Sequence, residues 1–153
     1  MQGNLATTYG ELGQLEKALS MERDVYSGRL KLLGEEHPDT LLAASNYASS
    51  LGQQRRFEEC KALLRKVIPV ARRVLGEDHK LTLDMMWAYA AGLSSDDDAT
   101  LDDLHEAVKT LGEIERTKRR VLGGAHPNTV RIQLALRMAR AELRAREAKS
   151  GEA

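Results

Sequence analysis

From Phe57 to Leu75 the apolar positions Phe57, Cys60, Leu63, Leu64, Val67, Ile68, Ala71, Val74 and Leu75 step mostly by three and four. That spacing gathers them into one broad stripe along an α-helix. Pro69 falls inside the stripe and predicts a kink, because proline lacks an N–H and its ring crowds the preceding turn. Ahead of this helix, Leu42, Tyr47, Ala48 and Leu51 mark a shorter amphipathic one. Gly52 and the polar run Gln53-Gln54-Arg55-Arg56 break the pattern between the two. The unit predicted is a helical hairpin.

The hairpin recurs. Leu33-Gly34-Glu35-Glu36-His37-Pro38-Asp39-Thr40 returns as Leu75-Gly76-Glu77-Asp78-His79-Lys80-Leu81-Thr82 and as Leu122-Gly123-Gly124-Ala125-His126-Pro127-Asn128-Thr129. His37 and His79 stand 42 residues apart, and His79 and His126 stand 47 apart. A fixed period of this size is the mark of stacked repeats. Phe57 to Leu75 and Leu104 to Leu122 are both 18 residues, so the five extra residues of the third unit are confined to the turn around Ser94–Thr100. Within that turn Thr100 and Asp103 have the spacing of a capping box. The acids Asp96, Asp97 and Asp98 lack the central glycine and terminal glutamate of an EF-hand calcium loop.

Each octapeptide reads as a helix stop followed by a helix start. Gly34, Gly76 and Gly123 suit a left-handed C-cap, and Pro38 and Pro127 suit a first helical turn. Its histidines come one per repeat, too far apart to share a metal whose ligands sit about 2 Å away. A turn-forming or capping role is expected of them. The last segment, Val130–Glu147, places Ile132, Leu136, Ala139 and Leu143 on one face, with Arg131, Arg137, Arg140, Glu142, Arg144 and Arg146 opposite. A lone amphipathic helix with a wet back closes the open end of a solenoid. The expectation is an all-α solenoid of about three helical hairpins plus a C-terminal capping helix. It spans 1–147 as one domain, with units near 1–37, 38–79 and 80–126, the cap at 127–147 and a frayed tail at 148–153. The register puts Met1 inside a first helix, so the N-terminal face is expected to be uncapped and open to self-association or to a larger assembly.

These positions resemble the tetratricopeptide repeat, in the long-repeat form of kinesin light chain. The likeness rests on Asn-Leu-Ala-x-x-Tyr-Gly-x-x-Gly-x-Leu-x-x-Ala at 4–18 and on Leu-Gly-x-x-His-Pro-x-Thr at 33–40 and 122–129. The small-residue sites Ala6/Ala48/Ala90 and Ala18/Cys60/Ala107 separate it from other helical repeats of similar period. Arg55 departs from the pattern where Gly13 keeps it, as does Ala88 where asparagine is usual.

The resemblance implies a right-handed α-α superhelix whose first helices line a concave face that grips an extended or helical peptide. The lining positions it implies are Gly3, Asn4, Thr7 and Gly10 in the first unit, and Leu42, Ser45, Asn46, Ser49, Gly52 and Gln53 in the second. The third unit gives Asp84, Trp87, Ala88 and Ala91, and the fourth Arg131, Leu134, Ala135 and Met138. Asn4 and Asn46 carry both a donor and an acceptor, to be spent on a ligand or on a bond inside the solenoid. Trp87, the only tryptophan, is either packed between repeats or an anchor in the groove.

Composition narrows the function without naming it. Hydrophobic residues make up 42% and charged residues 30% of the 153, which fits neither a membrane span nor a disordered chain. With 23 basic and 23 acidic residues the net charge is zero, which gives no global pull towards nucleic acid or an anionic membrane. The pairs Arg55-Arg56, Arg72-Arg73 and Arg119-Arg120 are a minor alternative for phosphate contacts, with acids interleaved among them. A single cysteine, Cys60, sits on the apolar stripe as a small buried thiol and fits a reducing, cytoplasmic setting. No phosphate loop, paired metal motif or nucleophile motif occurs. The reading is a non-enzymatic scaffold with no cofactor or metal, binding a protein or peptide.

Overall fold

The joints decide where each helix begins and ends. In the computed structural model, which describes residues 14–151, six helices follow one another: α1 (Leu15–Leu33), α2 (Pro38–Gln53), α3 (Phe57–Val74), α4 (Lys80–Ser95), α5 (Leu101–Leu122) and α6 (Pro127–Gly151). Each packs on the next in sequence, and α2 also packs on α4. The result is an all-α repeat solenoid with first helices α2, α4 and α6 and second helices α1, α3 and α5.

The octapeptides cap helices as expected, and they do it through the histidine ring. Nδ1 of His37, His79 and His126 accepts a bond from the backbone N–H of Asp39, Leu81 and Asn128, each at 3.1 Å. Each ring thus satisfies one of the four N–H groups that a helix start leaves without a partner. The glycines carry positive φ, at +87° for Gly34, +100° for Gly76 and +88° for Gly123. Gly34 and Gly123 depart from the expected left-handed helical cap, since their ψ angles are 168° and 158°. That region is open to almost no residue but glycine. Arg55 has a φ of 58°, a left-handed backbone that favours glycine, the residue the repeat pattern expects at this position.

A continuous core runs through all six helices, from Leu19 through Leu41, Leu64, Met85 and Ile114 to Ile132. α3 passes through Pro69 as one helix. Pro69 faces solvent, so the Arg65 carbonyl deprived of its helical partner is open to water rather than buried. The inserted turn ends in the capping box read from the sequence. The Asp103 N–H donates to Thr100 Oγ1 at 3.1 Å, and the Thr100 N–H donates to Asp103 Oδ2 at 3.0 Å. The turn also buries Ala99 with Leu104 and Leu143 in a satellite cluster. The last helix continues to Gly151, four residues past the end expected at 147. Ala148 and Lys149 are good helix formers and extend it in solvent.

Candidate functional site: the groove between first helices

α2 and α4 approach closely because small residues face one another along them. Between the two lies a pocket of about 490 Å³, lined by Ser49, Gly52 and Gln53 from α2 and by Trp87, Ala88 and Ala91 from α4. All six are among the positions that the resemblance to the tetratricopeptide repeat implies for the concave face. Trp87 is 38% exposed; packing between repeats leaves part of its ring on the pocket wall. The Asn46 side chain is exposed and makes no hydrogen bond among the described residues, and it lies outside the residues that line the pocket. Two residues read from the sequence as core, Phe57 and Cys60 of α3, also reach the pocket. Phe57 opens the second helix just after a short turn, and this position at the pocket end was its only advance signal.

Other expected positions lie outside this pocket. Leu42 is exposed and Ser45 half-buried on the same helix, and Asp84 is held by Lys80 Nζ at 2.7 Å. On α6, Arg131, Leu134 and Met138 are exposed. Among the described residues α6 does not pack on α4 as α4 packs on α2, so these three belong to a separate stretch of surface. Asn4 and Thr7, with Gly3 and Gly10, fall outside the described residues.

Cys60 is a structural thiol. Its Sγ donates to the Ala48 carbonyl at 3.4 Å, and burial pushes its pKa to about 11, which leaves it protonated and unreactive at neutral pH. Tyr89 ties three helices together behind the groove. Its hydroxyl donates to Glu106 of α5 at 2.5 Å and accepts from Arg65 of α3 at 2.7 Å. Burial first, and the Glu106 bond second, raise the phenol to about 12.

The arginine pairs are engaged with acids, so they form no free phosphate-binding edge. Arg55 meets Asp97 at 3.3 Å, Arg56 meets Glu59 at 2.7 Å and Arg119 meets Glu115 at 2.6 Å. Arg72 reaches Glu113 at 2.6 Å, Arg73 reaches Glu36 at 2.7 Å and Arg120 reaches Asp78 at 2.5 Å. Arg73 and Arg120 each return to the acid before the capping histidine one unit back, a tie between repeats that hydrophobic periodicity does not reveal. The described residues hold no group of His, Cys, Asp and Glu arranged to bind a metal. None of their helices is long and apolar enough to cross a membrane.

The sequence profile of the tetratricopeptide repeat matches residues 1–39 and 40–79. No curated protein matches the chain significantly. Two similar solved structures are of nearly identical TPR-like repeats from a candidate kinesin light chain of Podosopora anserina, one of them a point variant. Each is 24% identical and covers 90% of this chain, with TM-scores of 0.78 and 0.79. This chain spans 63% of the length of those structures, and at that identity the likeness is one of fold.

Proposed function

The chain belongs to the tetratricopeptide-repeat family, and from that premise we propose that it is a protein-interaction scaffold holding a peptide segment of a partner between α2 and α4. One observation carries this reading. The pocket of about 490 Å³ has small side chains on both walls and a half-exposed tryptophan, and Asn46, on the same helix α2 but outside the lining, is exposed with no hydrogen bond among the described residues. Small side chains leave room for a ligand backbone, the amide can bond to that backbone, and an indole at the centre of a contact often dominates its affinity. The chemistry on offer is recognition, with Cys60 inert and no acid–base pair aimed into the pocket.

The test uses a peptide selected from a displayed random library on the chain itself. Trp87→Ala should weaken that peptide by about 2 kcal/mol or more, and Asn46→Ala by about 1 kcal/mol. Asn46→Ala should keep the wild-type helical circular dichroism melt within about 1 kcal/mol, since that side chain is exposed. Trp87 is 38% exposed and otherwise packed, so Trp87→Ala should cost about 1–3 kcal/mol while the chain keeps its helical signal at the temperature of the binding assay. Unchanged affinity in both variants would place the peptide elsewhere.

A second reading, docking into a larger assembly through the N-terminal side, has its own support. α1 turns Met21, Val25 and Leu32 to solvent, the last at 85% exposure, whereas Val67, the repeat equivalent of Val25, is buried at 5%. Light scattering separates the two. Concentration-dependent association that Val25→Lys abolishes supports this docking, and a monomer at all concentrations argues against it.

A further inference from the structure

α6 presents three faces. Ile132, Leu136, Ala139 and Leu143 are buried, and Leu134 and Met138 lie exposed on a second face. The third face carries Val130, Gln133, Arg137, Arg140 and Arg144, spaced by three and four residues over four turns. Shifting by the repeat offset lays Gln133, Arg137 and Arg140 onto Met86, Ala90 and Leu93 of α4, and onto Ala44, Ala48 and Leu51 of α2. Those six residues are all buried. In α2 this is the face turned to its own second helix, as the Cys60 to Ala48 bond shows. The repeat geometry therefore provides a seat for a helix on α6. Gln133 at its edge is already held, donating from Nε2 to Glu115 of α5 at 3.3 Å, whereas Val130, Arg137, Arg140 and Arg144 are exposed, with no helix over them among the described residues.

The seat differs from its equivalents in charge. Arg55, Arg56, Arg65, Arg72, Arg73, Arg119, Arg120 and Arg146 all meet carboxylates. Arg137, Arg140 and Arg144 are exposed and meet none among the described residues. The second helices of this chain open on acids, Glu16 in α1, Glu58 and Glu59 in α3, Asp102 and Asp103 in α5. A short turn sets the start of each later one beside the end of its first helix. A helix laid on α6 in the same antiparallel way would bring its first turn beside Arg140 and Arg144.

We propose that this basic face of α6 is a second interaction surface, separate from the groove, which docks an acidic amphipathic helix of a partner protein. Acids spaced by three or four residues on that helix would pair with Arg137, Arg140 and Arg144, and an apolar residue would cover Val130. The apolar position Val130 within the stripe, and its register with helix–helix contacts elsewhere in the chain, favour a protein helix over a nucleic-acid backbone.

The probe is a labelled synthetic 20-residue helix with leucine and glutamate along one face, followed by fluorescence anisotropy on the full chain. The triple variant R137E/R140E/R144E should bind it at least about tenfold more weakly, and the same helix with lysine for glutamate should recover binding to that variant. Trp87→Ala should change the affinity by less than about twofold, because the indole is on another face. A central proline in the probe should weaken it about fivefold or more by breaking the helix. The three arginines are exposed, so the triple variant should retain the wild-type melt. Equal binding by the reversed variant, or by the proline-broken probe, would overturn the proposal. So would tighter binding of a 20-nucleotide single-stranded RNA, or of phosphatidylserine vesicles, through the same arginines.

Discussion

The joints at Gly76–Thr82 and Gly123–Thr129 come from one octapeptide but serve different neighbours. Both keep the positive-φ glycine and a histidine that caps the next helix at 3.1 Å. The first has Asp78 before its histidine, and Arg120 of the following second helix bonds to it. The second has Ala125 there, and no second helix follows α6 among the described residues. The buried threonines differ too: Thr82 Oγ1 donates to the Ala71 carbonyl at 3.4 Å, whereas Thr129 Oγ1 has no partner. Turning the chain is therefore the shared task of the octapeptide. Tying one repeat to the next is an added one, present where a further hairpin stacks.

That contrast can be tested by paired substitutions. The largest effect belongs to the core on either side. Leu64→Ala, at a fully buried site of the main cluster, should cost about 3–5 kcal/mol in urea melts. Leu143→Ala, in the satellite cluster, should cost nearer 2 kcal/mol because fewer neighbours surround the cavity. Equal losses would mean that the terminal helix is as deeply tied in as the central ones.

The capping histidines should behave alike. His79→Ala and His126→Ala each remove one N-cap and should cost about 1 kcal/mol, read from the same melts. A much larger loss at one joint would show a role beyond capping. The threonines should then diverge. Thr82→Val should cost about 0.5–1 kcal/mol through its lost hydrogen bond, whereas Thr129→Val should be neutral or stabilising by up to about 1 kcal/mol, since it removes a buried hydroxyl without a partner.

Acid titration probes the inserted turn that separates the two joints. The Thr100 backbone N–H, donating to Asp103, holds that carboxyl below its ordinary value. A depressed carboxylate contributes stability that is complete above its unfolded pKa and lost as pH falls through the folded one. The Asp103 contribution should thus be present above about pH 5 and fade below about pH 4. Asp103→Asn should flatten this part of the stability profile, which urea melts taken from about pH 5 down to below about pH 4 would show.

Much of this was legible in sequence because it depends on local spacing. The octapeptide announces helix ends, Thr100 and Asp103 announce a capping box, and a shift of 42 brings Ser49 and Gln53 into register with Ala91 and Ser95. What was not legible depends on stacking. The Arg73–Glu36 and Arg120–Asp78 ties cross 37 and 42 residues, and side-chain charge alone does not say which acid a given arginine meets. Phe57 and Cys60 fit the apolar stripe equally well as core or pocket wall, and only the approach of α2 to α4 decides. Whether Pro69 interrupts its helix depends on which face it occupies, and that is set by the packing of α3 against its neighbours.

The central claim is that the groove between α2 and α4 holds a peptide segment. The most direct measurement is an amide and indole NMR titration of the labelled chain with the library-selected peptide. The account predicts saturable shifts at Ser49, Gly52, Ala88, Ala91 and the Trp87 indole N–H, with α6 unmoved beyond Met138. Shifts confined to Arg137–Arg144, or to the solvent face of α3 and α5 with Trp87 unmoved, would contradict it.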